Sequence, residues 1–203
     1  MSRPRILFAL ACLALSAVIV GAVFLNLNAA GAPTPEISSS GKALIGGPFQ
    51  LVDQNGRAVD QSLLKGKWSA VFFGYTFCPD VCPTNLQTMA AAEDKLGAQA
   101  KNLQVVFVSI DPQRDTPQQL KAYLSSKAFP VGTIGLTGTP AQVDRAAKAY
   151  RVYYAKNGSG SDYTMDHSSA TYLMDPKGDF HSVIAYGMTP AQVADQIRSA
   201  MAG

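Results

Sequence analysis

The 203 residues leave room for one domain and an appendage, and 17 Lys and Arg against 14 Asp and Glu give a net charge of +3. That charge is scattered and forms no basic stripe, which speaks against a nucleic-acid partner. Of the 3 cysteines, only Cys78 and Cys82 lie outside an N-terminal apolar run.

That run covers residues 6–25, is preceded by Arg3 and Arg5, and has Ser16 as its only polar side chain. At about 1.5 Å per residue it spans about 30 Å, the thickness of a bilayer's hydrocarbon core. A cleaved signal peptide would carry a shorter apolar region, about 7–15 residues, ahead of a small-x-small site. Ala30-Gly31-Ala32 has that form, but Pro33 follows at once. Length and flank therefore favour a single transmembrane anchor. Cys12 has Ala9 where a lipoprotein site would carry leucine, so it reads as an apolar residue facing lipid or a neighbouring helix.

No lysine or arginine follows the run until Lys42, so residues 1–5 are expected in the cytoplasm and the rest outside it. In a bacterium this places the anchor in the inner membrane and the domain in the periplasm, where thiols need a reductant to stay reduced. Residues 26–41 are rich in Ala, Pro, Ser and Gly, with Glu36 their only charge, and read as a flexible tether. The domain proper is residues 42–203.

Within it, residues 49–53, Asn55-Gly56 and Ala58-Val59 predict a hairpin closed by a two-residue turn. Residues 68–75 and 103–110 predict strands buried on both faces. Residues 170–174 and 180–185 predict a hairpin closed by Asp175-Pro176-Lys177-Gly178. Three helices announce themselves alike, at Thr116-Pro117-Gln118-Gln119, Thr139-Pro140-Ala141-Gln142 and Thr189-Pro190-Ala191-Gln192. Threonine caps, proline takes a position that needs no N–H, and glutamine can close a capping box. A fourth helix is expected from Cys82 or Pro83 to Leu96, ending at Gly97. Strands alternating with helices, then a hairpin and a last helix, give an α/β domain with a mixed central sheet. A dithiol between the first buried strand and the next helix is the layout of a thioredoxin-like fold.

Cys78 and Cys82 are four residues apart in Tyr75-Thr76-Phe77-Cys78-Pro79-Asp80-Val81-Cys82-Pro83. Such a pair at a helix start brings its sulfurs to one side, and the helix N-terminus lowers thiol pKa. Converging thiolates can do redox work or hold a soft metal. His167 decides between these. It lies in a polar stretch before the strand at 170–174, where thioredoxin-type reductases place a cis-proline that faces the dithiol. No proline occurs between Pro140 and Pro176. Cys-x-x-x-Cys is also one residue longer than the reductase spacing and suits chelation of one ion. Two thiolates and an imidazole form an S₂N site that suits copper, with charge neutral for Cu(II) and one unit negative for Cu(I). His181, on the last strand, reads as an exposed alternate position with no role.

Three blocks resemble the Sco/SenC copper chaperones of cytochrome c oxidase assembly: residues 74–83, the run Ser109-Ile110-Asp111-Pro112-Gln113-Arg114-Asp115-Thr116-Pro117, and Tyr163 with Asp166-His167-Ser168. The resemblance implies that Cys78, Cys82 and His167 are copper ligands, for Cu(I) and Cu(II). It implies metallation of the binuclear copper centre in oxidase subunit II, with reduction of that subunit's cysteines as an accessory role. A thiol reductant and an upstream periplasmic copper donor follow as partners. Met165 reads as packing in preference to an auxiliary soft ligand. Asp80, Asp111, Asp115 and Asp166 are expected in loops rimming the site, as caps or as a docking surface.

A periplasmic thiol-disulfide oxidoreductase is the main alternative, and the missing cis-proline and the histidine count against it. A peroxiredoxin would want threonine where Tyr75 stands. A Cys₂His zinc site with water is chemically open.

Overall fold

The computed structural model describes residues 44–203; the anchor expected at residues 6–25 and the tether at 26–41 lie outside them. Among the described residues, no helix is long and apolar enough to cross a membrane. In chain order the strands and helices are β1 (Gln50–Asp53), β2 (Ala58–Asp60), β3 (Trp68–Gly74), α1 (Val81–Leu96), β4 (Leu103–Ser109), α2 (Pro117–Leu124), β5 (Ile134–Thr137), α3 (Pro140–Ala149), β6 (Tyr154–Asn157), β7 (Thr164–His167), β8 (Thr171–Met174), β9 (Phe180–Ile184) and α4 (Pro190–Ala202).

Seven strands form one mixed sheet in the order β2-β1-β5-β4-β3-β8-β9. The central β5, β4 and β3 are parallel, and β1, β8 and β9 each run antiparallel to an inner neighbour. Parallel strands are buried on both faces, and Ala70 to Phe73 and Val105 to Val108 are all buried, as expected from their apolar runs. Helices α1 and α4 pack on one another, and α2 packs on β5. This is the thioredoxin-like layout, with the dithiol segment leaving the C-terminal end of β3 for α1.

All three Thr-Pro-x-Gln helix starts form, with the threonine Oγ1 accepting from the glutamine N–H. Thr139 and Thr189 complete capping boxes. At Thr116 the Gln119 amide instead donates to Thr76 Oγ1, 3.2 Å away on the dithiol segment.

The structure departs from expectation in three places. The first hairpin has a longer turn, in which Gly56 N–H closes onto Asp53 C=O and Gly56 adopts a φ of +79°, the left-handed residue of a bulged loop. Strand β5 is unannounced because of Gly135, where a Cβ would stand 2.6 Å from Leu124 Cδ1; glycine there lets α2 approach the sheet. The stretch around His167, whose polar residues 163–169 read from sequence as a loop before the strand at 170–174, is not one. It contains β7, which pairs antiparallel with β6 in a separate two-stranded sheet, Tyr154 facing His167 in register.

The last residue of strand β3, Gly74, is glycine for a steric reason. A Cβ there would lie 2.7 Å from Cys82 Sγ, 2.9 Å from Phe72 Cε1 and 3.0 Å from Phe107 Cε2. Glycine therefore makes the space that the buried sulfur fills. Gly74→Ala should destabilise the fold by about 1–3 kcal/mol through overpacking and weaken binding of a soft metal by displacing Cys82. Denaturant unfolding and Cu(I) competition titration check the two effects; a variant as stable as the parent would refute the packing argument.

Candidate metal centre

The two cysteines occupy different environments. Cys82 lies in the first turn of α1 and is fully buried, whereas Cys78 stands before the helix and is half-buried. The pair is thus not wholly helical, since α1 begins at Val81. Asp80, at the N-cap position, makes no side-chain cap bond; Cys78 Sγ accepts from the Cys82 N–H at 3.5 Å instead. A sulfur over a helix N-terminus is favoured as thiolate.

Electrostatics separates the two thiols. Cys78 is lowered to about 3, first by the hydrogen bond from the Cys82 thiol and, against the penalty of burial, by the backbone N–H groups of Cys82 and Asp80. Cys82 is pushed up by the same hydrogen bond, by burial and by the adjacent negative charge. The reduced pair therefore holds one proton, carried on the inner sulfur. A soft cation held by this pair would replace that proton and bring Cys82 to the thiolate form.

His167 closes the third side. Its Nδ1 lies 2.9 Å from Ser168 C=O, which can only accept, so Nδ1 carries the proton and Nε2 of the neutral ring presents its lone pair. Nε2 is 3.5 Å from Cys82 Sγ, and the ligand atoms of Cys78, Cys82 and His167 all lie within 4.8 Å of one another. The ring is set edge-on to Phe72 and Tyr75, centroids 5.9 and 6.0 Å away. Two sulfurs and one nitrogen thus converge without rearrangement, in a set that fits copper.

A cleft of about 510 Å³ opens over this triad, walled on one side by Cys78, Pro79 and Asp80 and on the other by Thr164, Asp166 and His167. Met165 lines the cleft and also packs against the core.

The four aspartates divide. Asp80 and Asp166 are exposed on the cleft, bonded to Thr84 and Asn157. Asp111 and Asp115 are buried, 3% and 0% exposed, so the expectation that they rim the site is wrong. Asp115 accepts from Thr76 N–H, Thr76 Oγ1 and Ser109 Oγ. Asp111 accepts from Tyr163 OH at 2.6 Å and pairs with Arg114. Sequence reasoning passed over Arg114, although it stands in the second of the three blocks. His181 is exposed on the edge strand β9 beside Trp68 and is not part of the Cys78, Cys82 and His167 cluster.

Comparison with known proteins places this geometry. Residues 37–202 match the SCO1/SenC family model. The chain is 44% identical over 157 residues to the mitochondrial SCO1 homolog 1 of Arabidopsis thaliana, covering 76% of this chain and 46% of that protein. It is 44% identical over 161 residues to SenC of Rhodobacter capsulatus, covering 79% and 72%. The chain thus spans about half the length of the plant relative and most of the bacterial one. Among solved structures, copper-bound ScoI of Bradyrhizobium japonicum superposes with a TM-score of 0.70 at 46% identity, covering 76% of this chain and 98% of that one. This chain, with its preformed Cys-Cys-His cluster, belongs to the SCO1/SenC family.

Proposed function

We propose that this protein is a membrane-anchored copper chaperone that holds one copper ion through Cys78, Cys82 and His167 and delivers it to the binuclear copper centre of cytochrome c oxidase subunit II. The observation that carries this reading is the convergence of the three ligand atoms within 4.8 Å beneath an open cleft. The copper bound to ScoI of Bradyrhizobium japonicum supports the choice of metal. The apolar run at residues 6–25 and its flanking arginines support anchoring in a bacterial inner membrane with the domain in the periplasm. A three-ligand site suits transfer, because acceptor thiolates can join the coordination sphere before the donor's leave. An upstream periplasmic donor would load it, and a thiol reductant would keep it loadable.

A second, accessory role rests on the asymmetry of the thiols. Cys78 is reachable and held as thiolate, while Cys82 is buried behind it. In exchange with an acceptor disulfide, Cys78 forms the mixed disulfide and releases one acceptor thiolate. Cys82 then displaces the second, leaving a Cys78–Cys82 disulfide and two electrons on the acceptor. An external dithiol restores the pair.

The reduced protein should bind one copper ion, Cys78→Ser or Cys82→Ser should abolish stoichiometric binding, and oxidation to the disulfide should block uptake until a reductant is added. Competition titrations with Cu(I) check this; a Cys78→Ser/Cys82→Ser variant binding as tightly as the parent would refute the assignment.

In cells, His167→Ala should impair metallation of the oxidase copper centre while the dithiol stays reducible. Spectroscopy of the oxidase in such a strain, at matched levels of the variant, separates chaperone from general reductase. A fully metallated centre at limiting copper would favour the reductase.

A further inference from the structure

The Cys and His ligands come from elements that share no hydrogen-bonded ladder. Cys78 and Cys82 follow β3, an inner strand of the seven-stranded sheet, whereas His167 ends β7, whose only strand partner among the described residues is β6. From its C-terminal side His167 is held by the short link to β8. From its N-terminal side, something must fix β7 against the dithiol segment.

Arg114 meets both. Its Nη1 donates to the Tyr163 carbonyl at 3.0 Å and the Ser161 carbonyl at 3.3 Å, immediately before β7 begins. Its guanidinium lies 3.6 Å from the centre of the Tyr163 ring and 4.6 Å from that of Phe77, the residue before Cys78. Asp111 completes a closed arrangement, one oxygen accepting from Tyr163 OH and the other paired with Arg114 Nε. The side chains of Arg114 and Asp111 are only 16% and 4% exposed, so these contacts are sheltered from water and screening. Phe77, by contrast, is 52% exposed, and the guanidinium is what it stacks on. One cation thus touches the residue preceding the outer thiolate and the residue preceding the histidine strand.

We infer that Arg114 is a positioning residue that sets the distance between His167 and the Cys78/Cys82 pair, and through it the preference of the site between Cu(II) and Cu(I). This rests on the copper-ligand reading above. The oxidation-state dependence follows from ligand chemistry: two thiolates, both on the dithiol segment, suffice for Cu(I), while Cu(II) relies more on the imidazole. Loosening β7 therefore weakens Cu(II) more. A purely structural role would weaken both alike.

The test measures Cu(II) and Cu(I) affinities of the full chain by chelator competition, with the thiolate-to-Cu(II) absorption band, for wild type, Arg114→Gln, Arg114→Lys, His167→Ala and the Arg114→Gln/His167→Ala double variant. Arg114→Gln should lower Cu(II) affinity about 10–100-fold, the range for loss of a group that orients a metal ligand, and shift the band, while Cu(I) affinity stays within about threefold. Arg114→Lys, which keeps the charge beside Asp111 but not the stacked fork, should fall between. In the His167→Ala background the Arg114→Gln change should have no further effect on Cu(II) affinity. Equal loss for both oxidation states, or full additivity with His167→Ala, would overturn the proposal. If Arg114→Gln fails to fold, Arg114→Lys alone and with His167→Ala answers the same questions. A His167→Ala variant with wild-type Cu(II) affinity would defeat the ligand reading itself, an outcome distinct from an Arg114 effect that is absent while His167 matters.

Discussion

Asp115 accepts three hydrogen bonds in a place closed to water: the N–H and hydroxyl of Thr76 at 3.0 and 2.6 Å, and the hydroxyl of Ser109 at 2.7 Å. Thr76 begins the dithiol segment beyond β3, and Ser109 ends the neighbouring parallel strand β4. The buried carboxylate therefore ties the segment carrying both sulfurs to the central strand of the sheet. Burial pushes its carboxyl above the ordinary range, and the Thr76 and Ser109 bonds pull the other way. A carboxylate left in that position without those donors would cost several kcal/mol, so segment and loop are obliged to form together. Gln119, reaching Thr76 Oγ1 from α2, adds a further strut.

On this seating the two sulfurs acquire unlike characters. Gly74 removes the side chain that would fill Cys82's space, and the helix start turns a backbone N–H toward Cys78. The inner sulfur keeps the proton and the outer one carries the charge. His167, with its own proton committed to Ser168, faces them with a lone pair. The same arrangement is suited to metal capture, in which the proton would be displaced, and to thiol exchange, in which the outer sulfur would attack. What distinguishes the two uses is the imidazole, which a dithiol reductant does not need.

The parts of this architecture legible in the residues were those governed by local rules. The Thr-Pro-x-Gln starts were readable because capping chemistry is contained within four residues, and β3 and β4 because continuous apolar runs mean burial on both faces. The convergence of Cys78, Cys82 and His167 was readable because Cys and His have few reasons to come together. Local rules failed where a distant contact decides. Gly135 looks like a loop residue until Leu124 is placed over it. Strand β7 is polar and four residues long, and only its pairing with β6 makes it a strand. Asp111 and Asp115 look like solvated loop acids, yet the hydroxyls of Thr76 and Tyr163, 39 and 52 residues away, and the nearby Arg114 guanidinium donate to them in the interior. Arg114 could have been found as the one basic residue in the second family-like block.

The central claim is that two thiolates and one imidazole, already assembled, take a single copper ion. X-ray absorption at the copper edge of the reduced, copper-loaded protein tests it most directly. The account predicts a first shell of two sulfurs and one nitrogen for Cu(II), with the imidazole's outer-shell scattering present in wild type and lost in His167→Ala. A shell without sulfur, or imidazole scattering that persists in His167→Ala, would contradict it.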